Sequence, residues 1–362
     1  MTRNWNGFRI LATGIVIMGA GVFFSCAQDT QSPLNPSMVE KGVSADGPGL
    51  DVQPDIPNQP YPLTKITTYG ASNPTISPDG KWMVCTNNSG NLVRIPSTGG
   101  MPTPLGIKAS SSDWSRTGNQ VAFVDELKRL CTINPFTLQI TILNPGPLVD
   151  WPAWSPANDA IAVNVAGGIG LISYPGGTNL PMPCTDPIYG GPCDGANPAW
   201  SPDAQWVGFQ DGDVLLQENP ITGEVAAILG GLGVIADPSW SPDGQWVAFS
   251  LKDKILPGHA HANMHIVVYD VSGRDRGLIG ITTTDATCTA DPTNDRAPHW
   301  SPDSRSIYFS SNREGTTNIW KASFNSTTPG GTVTPLPGTG SLPPKYDTRS
   351  TPVGRHRTGS GN

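Results

Sequence analysis

One eight-residue motif recurs six times along this 362-residue chain and constrains its fold more than any other feature. In its fullest form the motif reads Asp237-Pro238-Ser239-Trp240-Ser241-Pro242-Asp243-Gly244. The fifth residue is a serine in every copy, and these serines are 38, 40, 46, 40 and 60 residues apart. A period near 40 residues is typical of an array of one supersecondary unit. The copies span residues 73–80, 111–118, 151–158, 197–204, 237–244 and 297–304.

Each copy and the residues after it predict a small antiparallel sheet. The motif supplies a short strand and a Pro-Asp-Gly turn, and we expect its serine to bond the backbone beside that turn. A second strand follows, apolar on both faces and therefore buried on both. A third strand is visible in every repeat and a weaker fourth strand in some. The centre of the second strand is mostly small, which lets neighbouring sheets approach closely, as at Ala122, Ala162, Gly208 and Ala248.

Six such sheets in an open stack would leave an apolar face at each end, whereas closing them into a ring removes both ends. The sequence therefore predicts an all-β fold, a six-bladed β-propeller of four-stranded antiparallel sheets over residues 61–340. We expect residues 63–67 to close the ring against the last sheet. Whether they replace or supplement a strand at 332–334 stays open.

The Pro-x-Trp-Ser-Pro-Asp-Gly unit resembles the repeat of the TolB-like β-propeller family. The run from Ser310 to Trp320, Ser-Ser-Asn-Arg-Glu-Gly-Thr-Thr-Asn-Ile-Trp, is also similar to a motif of that family. The resemblance covers about residues 61–340 and implies the propeller fold. It implies little about function, because propellers carry many unrelated activities.

The first 60 residues predict export and anchoring. Residues 1–25 combine Arg3 and Arg9 with an uncharged apolar run, as in a secretory signal peptide. The run ends in Phe23-Phe24-Ser25-Cys26, which resembles the bacterial lipobox, so Cys26 is the expected lipidation site. The alternative is ordinary signal cleavage, with Cys26 an incidental thiol. The resemblance, with Ala27 next, implies a lipid-anchored protein of the bacterial cell envelope, at the outer membrane on its periplasmic or surface side.

Two segments outside the repeats have the composition of disordered chain. Residues 26–60 are rich in proline, carry five acids and have almost no large apolar residue, so we expect a tether. Residues 341–362 form a second such segment, with a few positive charges that we expect to be solvated. The whole chain has a net charge of −7 and no basic run in its body, which argues against nucleic acid as a partner.

The residues just before each inner strand are the first candidate site. In a propeller they surround one mouth of the central channel, and Asp150 and Asp295 lie beside them. Three acids around one opening would create a negative field that favours a cation or a basic peptide. The alternative is that these residues are polar because water fills the channel. The ring itself comprises Asn73, Ser111, Trp151, Asn197, Asp237 and Ala297.

A histidine-rich insertion in the fifth repeat is the second candidate. His259 and His261 would point the same way in an extended loop and could ligate one divalent cation, with His265 or Met264 completing the site. Relatives of this fold such as oligogalacturonate lyase use a metal with histidines near the channel, as the resemblance implies. The alternative is a polar loop that binds nothing. His299, beside a motif tryptophan, is expected to be structural.

The cysteines other than Cys26 suggest one disulfide. Cys184 and Cys193 flank a turn-rich insertion, and a bond between them is expected outside the cytoplasm. Cys85 occupies a core position that is Phe in other repeats, so a buried thiol is expected. The pairing of Cys131 and Cys288 stays open.

The sequence contains no Gly-x-Ser-x-Gly elbow, phosphate loop or dinucleotide fingerprint. No catalytic residue is therefore assigned. The function predicted is that of a non-enzymatic, lipid-anchored scaffold that binds an envelope protein or peptide and needs no cofactor. The alternative is a metal-dependent carbohydrate-active enzyme, a lyase or hydrolase, that works at the channel mouth.

Overall fold

The computed structural model describes residues 61–144, 149–180, 182, 195–230, 232–252, 264–274, 277–282 and 293–324, all of which belong to one compact unit. Within these ranges no helix is long and apolar enough to cross a membrane. The predicted signal peptide, the tether and the segment 341–362 lie outside the described residues. So do Cys26, Cys184, Cys193, His259 and His261.

The described residues form six four-stranded antiparallel sheets in a ring, which confirms the predicted six-bladed β-propeller. We number the sheets as blades 1 to 6 in the chain order of their inner strands. The first strand of the chain, β1 (Leu63–Lys65), is the outermost strand of blade 6. Blade 1 comprises β2 (Ala71–Ile76), β3 (Trp82–Asn87), β4 (Asn91–Pro96) and β5 (Thr103–Lys108). Blade 2 comprises β6 (Ser112–Trp114), β7 (Val121–Val124), β8 (Leu130–Ile133) and β9 (Ile140–Asn144).

The other four blades repeat the same order, from an inner strand at the channel to an outer strand at the rim. Blade 3 comprises β10 (Asp150–Trp154), β11 (Ala160–Val165), β12 (Gly168–Ser173) and β13 (Asn179–Leu180). Blade 4 comprises β14 (Ala196–Trp200), β15 (Val207–Asp211), β16 (Val214–Glu218) and β17 (Val225–Gly230). Blade 5 comprises β18 (Val234–Trp240), β19 (Trp246–Lys252), β20 (Met264–Asp270) and β21 (Leu278–Gly280). Blade 6 adds β22 (Asp295–Trp300), β23 (Ser306–Ser311) and β24 (Asn318–Ser323) to β1.

The motif serine holds the turn between the inner and second strands. In blade 1 the carbonyl of Ser77 accepts the Gly80 N–H at 2.8 Å, and Ser77 Oγ accepts the Trp82 N–H at 2.9 Å. The same hydroxyl donates to Asp79 Oδ1 at 2.6 Å. Every motif serine accepts a backbone N–H in this way, which confirms the expected role of these residues.

Neighbouring blades pack through the motif tryptophans. The indole N–H of Trp300 donates to the carbonyl of Ser239 in the preceding blade at 3.1 Å. In blade 4, a Cβ added to Gly208 would lie 3.1 Å from Nε1 of Trp240 in blade 5. The small centre of the second strand therefore does bring the sheets together, as predicted.

The ring closes where the two ends of the repeat array meet in blade 6. Strand β1 pairs with β24 in an antiparallel ladder that matches Leu63 with Ala322, and the Ile66 N–H donates to the Ile319 carbonyl at 2.8 Å. The predicted closing strand is thus confirmed as the fourth strand of blade 6. Residues 332–334 lie outside the described residues.

Candidate functional site

The six inner strands surround a central cavity of about 150 Å³. Each inner strand begins at one face, which we call the mouth face, and ends at the Ser-Pro-Asp-Gly turns, which define the opposite turn face. The six residues predicted to surround the opening all line this cavity, and we call them the mouth ring. They are Asn73, Ser111, Trp151, Asn197, Asp237 and Ala297.

Five mouth-ring residues have left-handed backbone conformations, with φ between 48° and 55°. In each of these blades the pairing of the inner and second strands shifts register at the same place. Asparagine and aspartate tolerate positive φ, whereas Trp151 and Ala297 adopt it against their preference. Backbone strain of this kind is often found at functional sites, so the mouth ring is a candidate on that ground.

Asp237 connects three blades at the mouth. Its Oδ1 accepts the side-chain N–H of Asn197 at 3.0 Å, and its Oδ2 accepts the Ala297 N–H at 3.2 Å and the Ser250 hydroxyl at 3.1 Å. The side chain is 9% exposed. Its oxygens are thus largely engaged by the protein itself.

The other two acids predicted at the mouth do not line the cavity. Asp150 pairs with Lys128, and Asp295 is fully buried, with both carboxylate oxygens 2.9 Å from Nη2 of Arg313. Because each of these carboxylates has a cation beside it, the negative field expected from three acids is reduced. The sequence indicates that these acids lie near the opening, but it does not reveal Lys128 and Arg313 as their ion-pair partners.

A polar cluster lies deeper in the channel, where blades 6, 1 and 2 meet. The Thr75 hydroxyl is 3.1 Å from Asp113 Oδ1 and 3.3 Å from His299 Nε2, and His299 Nε2 is 3.7 Å from Asp113 Oδ1. His299 Nδ1 lies 3.0 Å from the Trp300 carbonyl, which assigns the ring proton to Nδ1 in the neutral histidine. Nε2 then accepts, so the single Thr75 proton faces two acceptors. The cluster therefore has acceptor capacity for a donor from a ligand.

His299 was expected to be structural, and its place in this cluster was not predicted. It is about a quarter exposed to the channel, as is Asp113. The available signal was the third position of the motif, which lines the cavity in five blades and is buried beside it in blade 1. In blades 6, 1 and 2 that position holds His299, Thr75 and Asp113.

Two serines beside this cluster are buried without a hydrogen-bond partner in the described part of the chain. They are Ser111, whose side chain is 4% exposed, and Ser112, and both line the cavity. A buried hydroxyl without a partner is unusual in a folded protein. An unsatisfied hydroxyl therefore lies beside the cavity at each of these two positions.

A polar groove of about 700 Å³ opens on the mouth face between blades 1 and 2 and shares Asn73 with the central cavity. Its lining includes Lys108, Glu126 and Lys128. Lys108 and Glu126 lie 3.4 Å apart and are both exposed. The cavity is thus bordered by a surface long enough for an extended segment of polypeptide.

The residues predicted to hold a metal are only partly described. His265 lies at the start of the third strand of blade 5 and is 7% exposed, whereas His259 and His261 are outside the described residues. Within the described ranges, no group of three or more His, Cys, Asp or Glu side chains is arranged to hold a metal. The structure thus leaves the predicted histidine site without a test.

Two cysteines lie within the blades. Cys85 and Cys131 are free thiols, both buried, and the buried thiol expected at Cys85 is confirmed. Burial raises the pKa of Cys85 to about 12 and that of Cys131 to about 11. Neither thiol is therefore suited to act as a nucleophile.

Comparisons with known proteins bear on the fold. No protein-family model matches the sequence, and no curated protein matches it. Oligogalacturonate lyase from Vibrio parahaemolyticus is structurally similar, with a TM-score of 0.52, 11% identity, and coverage of 75% of this chain and 96% of that one. TolB from Acinetobacter baumannii has a TM-score of 0.49 and 14% identity, and the match covers 71% of this chain and 65% of that one. The likeness to oligogalacturonate lyase, at 11% identity, bears on the β-propeller fold alone.

Proposed function

We propose that the protein is a non-enzymatic scaffold that binds a partner protein or peptide at the mouth face of its propeller. We further propose that a lipid on Cys26 anchors it in the bacterial cell envelope. The observation that carries the binding proposal is the form of the central cavity, which is small, bordered by the mouth ring and lined by two serines whose hydroxyls have no partner among the described residues.

The size of the cavity favours a single side chain over a whole small molecule. At about 150 Å³ it is well below the roughly 300 Å³ at which small-molecule pockets begin. One side chain of a polypeptide would fill it, while the neighbouring groove of about 700 Å³ would hold the flanking backbone. A partner that presents an extended segment fits this pair of features.

The chemistry of the channel favours an inserted group with hydrogen-bond donors. Asp113 and His299 supply acceptors, and the hydroxyls of Ser111 and Ser112 have no other partner in the described residues. A lysine or arginine side chain carries several donors and no acceptor. A basic peptide is therefore the class of ligand that we propose.

The described chain begins on the turn face of the propeller. Tyr61, the first described residue, packs against Phe324 with ring centroids 5.6 Å apart. Phe324 in turn contacts Trp246 and Trp300 beside the turns between inner and second strands. The chain that leads back to Cys26 therefore joins the propeller on the turn face, opposite the mouth ring.

Replacing Trp151 with Asn tests the binding proposal. Asparagine tolerates positive φ and already stands at two mouth-ring positions, so we expect the fold of Trp151→Asn to be kept. The aromatic surface at the mouth is lost. Quantitative mass spectrometry after crosslinking in intact cells should show a partner whose recovery falls at least tenfold in this variant.

Ile221→Asn is the matched control, because it introduces the same residue at an exposed position that lines neither the central cavity nor the mouth-face groove. Its recovery of the partner should equal that of the wild type. If no protein is recovered by the wild type, or if Trp151→Asn recovers the partner as fully as the wild type does, the mouth ring is not the binding surface.

The anchor has its own test. Cells grown with an alkyne-bearing fatty acid should incorporate the label into the wild-type chain and not into Cys26→Ser. Cys85→Ser is the control, since Cys85 is buried in blade 1 and should leave labelling unchanged. Equal labelling of the wild type and Cys26→Ser would contradict lipidation at this residue.

The metal-dependent carbohydrate-active enzyme is the second candidate, and the His299–Asp113 pair in the channel is the observation that favours it. Elemental analysis of the purified protein separates the candidates. A stoichiometric transition metal that is lost in His261→Ala would support the enzyme and the predicted ligands His259, His261 and His265. If protein that is purified without chelators and incubated with manganese or zinc binds no metal, the non-enzymatic scaffold remains the proposed function.

A further inference from the structure

Aromatic side chains from the chain itself cover the seams between several blades on the turn face. Between blades 5 and 6, Phe324 lies 5.3 Å from both Trp246 and Trp300, with nearly perpendicular rings. In blade 3, Tyr174 lies 4.6 Å from Trp154 in the same kind of edge contact. Such contacts bury apolar surface that would otherwise face solvent.

Blade 5 has a smaller residue at this covering position. The Val271 N–H donates to the Gln245 carbonyl, just before the second strand, at 3.0 Å. Tyr174 and Phe324 make the same backbone bond at 2.7 Å in their blades, so the three residues are structurally equivalent. Valine is too short to cover the seam between blades 4 and 5.

A large groove opens at that seam. This turn-face groove has a volume of about 850 Å³, compared with about 390 Å³ at the seam between blades 1 and 2, where Phe136 contacts Trp82 and Trp114. Among the described residues, no ring contact joins Trp206 or Trp240 to another aromatic side chain. Two prolines and three aromatic side chains are part of its lining, namely Pro202, Trp206, Trp240, Pro242 and Tyr269.

The rim of the turn-face groove is acidic. Asp203 and Asp243 are both exposed, and neither forms an ion pair within the described part of the chain. Their Oδ1 atoms accept bonds from the turn, while the carboxylates remain accessible. No Lys, Arg or His is among the described residues that line the groove. The groove therefore fits a ligand that combines apolar or proline-rich character with positive charge.

We propose that the turn-face groove binds the segment Leu342-Pro343-Pro344-Lys345-Tyr346 of the chain's own C-terminal region. Aromatic-lined grooves recognise proline-rich segments because these enter in a preformed polyproline II helix at low entropic cost. Lys345 would lie against the acidic rim. Residues 325–362 carry four Lys or Arg and one Asp, so their charge is complementary to the groove.

The chain between Phe324 and the proposed segment is long enough to reach the groove, whereas the proline-rich segment of residues 27–60 has the wrong charge to bind there. The described chain ends at Phe324 on the turn face, at the adjoining seam, and the 17 residues from 325 to 341 can extend roughly 55 Å. One four-stranded blade is only about 15–20 Å wide. Residues 27–60 are also proline-rich but carry five acids and one Lys, so the rim would repel them.

Limited trypsin digestion of the full-length chain tests this proposal. Cleavage after Lys345 should be at least tenfold slower than cleavage after Arg357, which lies beyond the docked segment. Val271→Phe should fill the groove as Phe324 fills its own seam, displace the segment and raise the rate after Lys345 at least tenfold. The double variant Asp203→Asn/Asp243→Asn should also accelerate cleavage after Lys345, because it removes the rim charge, keeps the Oδ1 acceptor of each turn and adds no trypsin site.

Ile221→Phe is the matched control, because it adds an aromatic residue at an exposed turn of blade 4 outside the groove lining. Its cleavage pattern should equal that of the wild type. Equal rates after Lys345 and Arg357 in the wild type, or no acceleration in either groove variant, would overturn the proposal. Protection that increases with protein concentration would also overturn it, because the occupant would then belong to a second copy.

Discussion

The last residue of each Ser-Pro-Asp-Gly turn has a positive φ in all six repeats. Glycine or asparagine fills four of these positions, and both tolerate that conformation. Ala204 (φ 60°) and Ser304 (φ 58°) do not, because their Cβ atoms crowd the backbone there. The sequence analysis assigned the turn, and the structure adds that these two residues adopt its geometry under strain.

Ala204→Gly is therefore expected to stabilise the protein by about 0.5–1 kcal/mol, since relief of the left-handed strain exceeds the added freedom of the unfolded chain. Chemical denaturation of the purified protein measures the difference. Gly118→Ala is the reverse control and should destabilise by a similar amount. Its new Cβ would lie 3.7 Å from Cδ of Pro78, an ordinary contact, so only backbone strain is added. Changes of the same sign in both variants would contradict this account.

Glu218 is a buried acid at the end of the third strand of blade 4. Its side chain is fully buried, and neither carboxylate oxygen has a hydrogen-bond partner among the described residues. Burial without a partner disfavours the charged form, and it raises the pKa of Glu218 from 4.5 to about 7. The neutral acid is therefore the better-tolerated form in the folded protein.

The raised pKa predicts a pH-dependent stability. The folded state holds the Glu218 proton more tightly than the unfolded chain, so this contribution is complete below about pH 4.5 and is lost as pH rises through about 7. Glu218→Gln should match the wild type at pH 4.5 and exceed it by about 3 kcal/mol at pH 8. Denaturation across this range measures the effect, and exposed Glu224→Gln is the control. Parallel pH profiles for wild type and Glu218→Gln would contradict burial of the charge.

At the scale of strands, the sequence predicted the blades well because each signal is local. Alternating apolar residues and Pro-Asp-Gly turns lie within one repeat, and the strands follow them. The irregular start of the inner strand was not predicted, although a signal was present. Proline has no N–H for the ladder, and a bulge accommodates it. The blade with Ser111-Ser112 in place of X-Pro has no register shift, which supports this cause.

The contents of the channel could be predicted less well, because they depend on which blades are neighbours. Thr75 and His299 are 224 residues apart in the chain and meet only because blade 6 closes on blade 1. The ion pair of Asp295 with Arg313 likewise depends on how the loop after β23 folds back. The spacing of the repeats identified the residues of the mouth ring. Which of the acids there are paired with cations could be learned only from the positions of the side chains.

At the scale of the whole molecule, the ring is held closed by strands from opposite ends of the repeat array. Beyond the β1–β24 ladder, Thr67 Oγ1 accepts the Ile319 N–H at 2.9 Å and donates to Asn318 Oδ1 at 3.1 Å. Thr67 and Asn318 are both buried. Closure therefore joins polar groups that would otherwise need other partners, in addition to hiding the apolar sides of the first and last blades.

Ile66→Pro is the prediction that isolates this closure. The substitution removes the N–H that Ile66 donates to the Ile319 carbonyl, so the seam loses a buried bond and should lose about 2 kcal/mol. Leu180→Pro is the control, because it changes an outer strand of blade 3 that joins no chain ends, and its cost should stay within about 1 kcal/mol. Denaturation followed by tryptophan fluorescence should also show a broader transition in Ile66→Pro, since blades 6 and 1 can separate before the rest unfolds. Equal losses in the two variants, with equally sharp transitions, would mean that closure contributes no more than any other outer strand.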